Sequence, residues 1–198
     1  SEEASFGESA STTTGQDFVI VGIIDGPLPG GTPKAIEFYT LNDVTDASSY
    51  SVANANNGGA FATAISFPAK SFTAGDRFHI ASEDVNFTTF FGTAPDTVLP
   101  VALVNGDDVF GLFHQGTLVD VYGDPGVDGT GTPWEYKDGW AYRNDSTGPN
   151  PVFTLSEWTF SGVDALDGST SNTTANPPFP YETYNLSSGG GGGGGSTG

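Results

Sequence analysis

Cysteine and methionine are both absent from the 198 residues. No disulfide and no thiolate chemistry can therefore enter any account of the chain, and the side chains most open to oxidation are missing. The lack of cysteine does not argue against export, because secreted domains depend on disulfides mainly when their core is too small. Without an initiator Met, Ser1 reads as a processed start. A removed signal peptide is the commonest cause, so the expected setting is secreted, extracellular or cell-surface. Basic residues are nearly as scarce: five Lys and Arg stand against 24 Asp and Glu, for a net charge of −19. Lys34, Lys70, Arg77, Lys137 and Arg143 are scattered singly. Phosphate backbones need clustered cations, which excludes nucleic acid as a partner; anionic lipid surfaces are disfavoured for the same reason. No apolar run approaches the length of a membrane span, so membrane insertion is not expected.

Sustained helical periodicity is missing as well. Present instead are short apolar or alternating runs separated by Gly, Asn, Asp and Pro, from Asp17 to Ser161. Phe18 to Ile24 is a continuous apolar run, the pattern of a strand buried on both faces or spanning a sheet centre. Asp25-Gly26-Pro27 and Pro29-Gly30-Gly31 end it as turn signals. Lys34 to Leu41 alternates, with Ile36, Phe38 and Thr40 on one face. Asn56-Asn57-Gly58-Gly59 predicts a hairpin turn into a strand from Phe61 to Phe67, followed by a strand from Arg77 to Ala81. Asn86 to Phe91 fits either a helical turn or an edge strand. Val101 to Val104, Val109 to Phe113 and Leu118 to Tyr122 predict a three-strand meander, and Gly139 to Arg143 and Val152 to Trp158 the last strands. Such a series implies an all-β sandwich or barrel. At this size a single domain buries about two-thirds of its unfolded surface, so neither disulfide nor metal is needed for folding.

The organisation expected is threefold. Residues 1–16 form a polar arm with Phe6 as its large apolar residue, residues 17–161 a β-sandwich, and residues 162–198 an extended Pro/Ser/Thr region. The last contains Asn176-Pro177-Pro178-Phe179-Pro180-Tyr181, a polyproline-like stretch, and ends in the polyglycine run Gly189 to Gly195.

Three stretches carry a family likeness. They are Ala35-Ile36-Glu37-Phe38-Tyr39 after a glycine-rich turn, Phe67-Pro68 through Ser71-Phe72-Thr73-Ala74-Gly75-Asp76, and Asn105 to Phe113 followed by Gly116-Thr117-Leu118-Val119-Asp120. In this order they resemble the lamin tail domain of nuclear lamins and of many secreted bacterial and algal proteins. The resemblance implies an immunoglobulin-like antiparallel β-sandwich with flexible or extended terminal arms. It also implies an adhesion, assembly or targeting role and no shared active site.

Chemistry-bearing groups are few. Asp120, Asp124, Asp128, Glu135 and Asp138 place five carboxylates in nineteen residues spaced by Gly and Pro. Calcium takes six to eight hard oxygens, which such a loop can supply; a plain turn-rich acidic loop is the alternative. Sequons stand at Asn86, Asn144, Asn172 and Asn185, so glycosylation is possible in a secreted protein. No nucleophile elbow, His-x-x-x-His pair or phosphate-cradling loop is present, and His79 and His114 read as structural. Trp134, Trp140 and Trp158 with Tyr136 and Tyr142 gather late in the chain, either to stack on sugars or to fill the core. The expected function is a non-enzymatic extracellular structural or assembly module. It would self-associate, or join other matrix or surface components, through its arms into a fibre or surface layer. The alternative is a carbohydrate- or surface-binding accessory domain of a secreted hydrolase.

Overall fold

The computed structural model describes residues 15–102 and 104–186. Phe6 and the polyglycine run lie outside the described residues, as does most of the expected N-terminal arm. The chain forms an all-β sandwich with one helix. Its strands are β1 (Phe18–Leu28), β2 (Thr32–Thr40), β3 (Tyr50–Ala55), β4 (Ile65–Ser66) and β5 (Arg77–Ala81). After the helix α1 (Val85–Phe91) come β6 (Thr97–Val98), β7 (Val109–His114), β8 (Thr117–Tyr122), β9 (Trp140–Arg143) and β10 (Trp158–Phe160). One sheet has six strands in the order β10-β9-β1-β2-β5-β6 and the other four in the order β4-β3-β7-β8.

The long apolar run of β1 is explained by cover on both faces. Phe18, Ile20 and Ile23 join the core between the sheets, whereas Val19, Val21 and Ile24 join a second apolar layer on the far side. Strict alternation would send Ile23 outward. A register shift against β2 between Ile20 and Gly22 resets the parity; one inserted residue turns everything after it to the other face.

Between the sheets, Phe18 meets Tyr50 and Phe72 edge-on at 4.8 and 5.2 Å, and Phe38 stacks on Phe78 at 5.0 Å. Further along, Tyr122 packs against Tyr136 and Trp158. One ion pair crosses this apolar space. Arg143 of β9 meets Asp120 of β8 at 2.8 Å. The backbone N–H of Ile20 donates to the Asp120 carboxylate, and Arg143 Nε donates to the Ile20 carbonyl. The pair thus satisfies β1 where β9 no longer runs beside it, since the β1–β9 ladder covers only Gly22 to Ile24.

Several local expectations need correction. Of the strand expected from Val101 to Val104, Val101 and Ala102 lie in the 3-10 turn Pro100–Ala102 instead, and β7 takes β3 as its second neighbour. Proline lacks the N–H that a central ladder position requires. The strand expected from Phe61 to Phe67 shrinks to Ile65–Ser66. The sheet is not wholly antiparallel, because β6 runs parallel to β5; the helix between them makes the crossover that a parallel pair needs. Asn86 to Phe91 resolves as helix. Glu83 caps it by accepting from the N–H groups of Asn86 and Phe87, and Gly92 closes it at φ 76°.

Residues 162–186, expected as an extended arm, lie against the outer face of the six-stranded sheet. Together with α1 they bury Leu166, Ala175, Phe179 and Tyr184 over Val19, Val21, Ile24, Trp140 and Tyr142. A sheet whose two faces are both apolar must be covered twice. The segment forms turns and the short 3-10 helix Asn172–Thr174 rather than a continuous extended run. None of the helices among the described residues is long and apolar enough to cross a membrane.

Candidate functional site

The outer face of the six-stranded sheet carries a polar row. His79 on β5 is the cross-strand partner of Glu37 on β2, Glu37 is opposite Gly22 on β1, and Gly22 is opposite Tyr142 on β9. Glycine in the middle is a steric requirement. A Cβ at Gly22 would stand 2.8 Å from the Tyr142 ring and 2.6 Å from Phe179, so its absence lets Tyr142 lie flat across β1. The Tyr142 hydroxyl then donates to Glu37 Oε1, and Glu37 Oε2 lies 3.0 Å from His79 Nε2.

Residues 172–186 close over this row. The N–H of Glu182 donates to Glu37 Oε2 at 3.1 Å, and the N–H groups of Thr183 and Tyr184 both donate to the Tyr142 hydroxyl at 3.1 Å. Tyr181 stacks on the His79 ring, centroids 4.5 Å apart and planes within 5°. Phe179 sits among Phe91, Trp140 and Tyr142. Trp140 Nε1 donates to the Pro177 carbonyl, Arg77 to the Tyr184 carbonyl, and the Tyr184 hydroxyl to the Thr147 carbonyl. Most of these hydrogen bonds join backbone groups of the segment to side chains of the sheet, a peptide-in-socket arrangement.

His79 is 3% exposed and has carboxylates on three sides: Glu37, Asp96 at 3.6 Å and Glu182 at 4.0 Å. Burial alone pushes its pKa down. Hydrogen bonds to Asp96 and Glu37 and the charges of Glu37 and Glu182 outweigh that and hold it up at about 9. Asp96 is held below its usual range in spite of partial desolvation, by its bonds to His79. Burial and the Glu37 carboxylate push the Tyr142 hydroxyl far up. A histidine held as the cation is a poor base near neutrality; here it is a fixed positive charge under the segment.

The five acidic residues expected to hold calcium are not brought together. Asp120 is 0% exposed and bonded to Arg143, Ile20 and Asn150. Asp128 accepts from the N–H of Thr130 and Glu135 from that of Gly131, each bracing its own turn, while Asp124 is exposed. Asp138 instead meets Asp164 and Asp167, with one oxygen of each within 4.8 Å of the others, the one such acidic triplet among the described residues. Burial raises the Asp138 pKa, and the charges of Asp25 and Asp167 raise it further. Nearby, Asp25 pairs with Lys34 at 2.6 Å, and Lys34, Asn56, Asn57, Val104, Asn105 and Asp108 line a cleft of about 410 Å³.

Of the sequon asparagines, Asn86 donates to Thr32 and Pro29. Asn144 donates to Ser156, and Asn172 bonds both backbone groups of Phe179. Asn185 is exposed, and its N–H donates to Asp145. The three tryptophans are buried and present no aromatic platform. Sequence reasoning missed Asp25, Lys34, Glu37 and Asp96. The one available signal was Glu37, the lone carboxylate of an alternating strand, which alternation alone assigns to solvent. No protein-family model matches the chain, and no curated protein matches it.

Proposed function

We propose that the chain is a non-enzymatic extracellular structural or assembly module, the subunit of a fibre or surface layer, and that its likeness to the lamin tail domain reflects this role. The observation that carries the reading is the polar row His79–Glu37–Gly22–Tyr142, occupied by backbone groups of residues 182–184. A sheet face built to hold a peptide segment by its main chain is docking equipment. The buried titratable groups support the same reading: His79 is held charged, and Asp120 is fixed to Arg143. Electron microscopy and sedimentation velocity of the full chain, from dilute to concentrated and with or without calcium, test the proposal. Concentration-dependent fibres or layers are expected; a monomer under every condition would overturn it.

A carbohydrate-binding role has one observation in its favour, and it is not the tryptophans. The cleft at Lys34 carries the amides of Asn56, Asn57 and Asn105 beside Val104, donors and acceptors suited to sugar hydroxyls. Glycan-array binding abolished by Asn56→Ala would support this second reading, and a blank array would remove it.

A further inference from the structure

The contacts that hold residues 172–186 do not depend on which copy of the chain supplies them. Apart from the bonds between Asn172 and Phe179, the anchors described above join the segment to earlier parts of the fold. These are Glu37 on β2, Arg77 and His79 on β5, Phe91 on α1, Trp140 and Tyr142 on β9, and Thr147 beyond it. The segment adds no strand to either sheet, so it can leave without breaking a ladder. Its connection to the sandwich, residues 161–171, consists of turns with Gly162, Asp164 and Gly168 at positive φ. Leu166 is its one buried residue. The connection is pinned where Asp164 and Leu166 donate to the Lys137 and Asp138 carbonyls.

Charge also matches segment to socket. The carboxylate of Glu182 faces the His79 cation that Glu37 and Asp96 help to maintain. On a chain of net charge −19 with two histidines, this is a local exception to general repulsion between copies.

Resting on the assembly reading above, we propose that the socket on the outer face of the six-stranded sheet also receives residues 172–186 of a second copy, so that copies are linked by exchange of this segment. Exchange reproduces the anchors of residues 172–186 and alters the path of residues 161–171, whose own bonds to Lys137 and Asp138 are what it gives up. That is why swapping of a peripheral element is a low-cost route to association. It gains on the closed form by mass action as concentration rises.

The absence of native cysteine permits a direct test. The N–H of Ser146 donates to the carbonyl of Asn185 at 2.9 Å, so Ser146→Cys and Asn185→Cys place two thiols where the docked segment meets the sandwich. In the full chain carrying both, oxidation should close an intramolecular disulfide; failure to close would overturn the docked position and the proposal with it. Next, Ser146→Cys and Asn185→Cys copies bearing tags of different size are mixed, concentrated and oxidised. A mixed-size disulfide dimer is expected, rising with concentration. Deleting residues 167–169 from the connection in both copies should raise it about tenfold, because a shortened hinge strains the closed form and not the exchanged one. No mixed dimer at any concentration, or one indifferent to the shortened connection, would overturn exchange. Fibres that form without the mixed dimer would leave the assembly reading standing and exclude this segment as its link.

Discussion

The two faces of the six-stranded sheet are covered by different physics. The inner face meets a second sheet through interlocking rings, Phe18, Phe38, Phe78 and Tyr50 among them, and its one buried ion pair joins β8 to β9 with a further bond on each side to Ile20. The outer face meets a short helix and a segment without a ladder. Phe179 and Tyr184 fill hollows there, and main-chain N–H groups land on Glu37 and Tyr142. The inner cover cannot leave without loss of the core. The outer cover adds no strand, so its opening breaks no ladder, and stability within one domain can differ between cooperative units.

The largest expected effect tests the inner face. Asp120→Ala leaves Arg143 buried beside Trp158 without its carboxylate and removes an acceptor from the Ile20 N–H. Breaking one partner of a buried pair costs about 3–5 kcal/mol. Chemical denaturation should show that loss in one transition, with both faces unfolding together; a loss under about 1 kcal/mol would deny the pair its role in joining the sheets.

Titration of His79 tests the outer face. Its folded pKa of about 9 lies above the ordinary 6.5. The stabilisation is therefore fully present below pH 6.5 and is lost as pH rises through about 9. The maximum is about 3 kcal/mol at 1.36 kcal/mol per pH unit. Amide exchange at Glu182, Thr183 and Tyr184, corrected for its intrinsic pH dependence, should accelerate across that window. Core amides of β1 and β7 should accelerate less. His79→Gln should flatten the response.

Gly22→Ala probes the same layer by sterics. The new methyl group collides with Tyr142 and Phe179, a type of overpacking that costs about 1–3 kcal/mol. Loosened exchange confined to residues 172–186 is the expected signature; uniform destabilisation would mean that the outer cover is not separable. Smallest of all, Asp167→Asn removes one charge from the triplet with Asp138 and Asp164. In the presence of chelator, a gain within about 0.5 kcal/mol is expected, the usual range for a surface change. A clear loss in calcium that is absent in chelator would place a cation there.

Strand patterns were legible where a single local rule decided the outcome. The run Phe18 to Ile24 announced a strand covered on both sides, and the closely spaced runs Val109 to Phe113 and Leu118 to Tyr122 announced the hairpin of β7 and β8. The helix α1 was ambiguous because its seven residues complete only about two turns, too few to establish a period. The tryptophans were visible as a cluster, but their burial depends on elements far away in sequence. Asp120 looked like the first acid of a loop, yet it is a core-facing residue of β8 whose partner lies 23 residues on.

The sequence by itself determined the all-β class, most of the strands, the acidic character and the absence of sulfur chemistry, because period, turn residues and composition are local properties. Only the tertiary structure decided the parity shift in β1, the row formed by His79, Glu37, Gly22 and Tyr142, and the segment that covers it. Glu37 is brought to Glu182 across 145 positions. Such a pairing follows from sheet order and register, which no short window of sequence encodes.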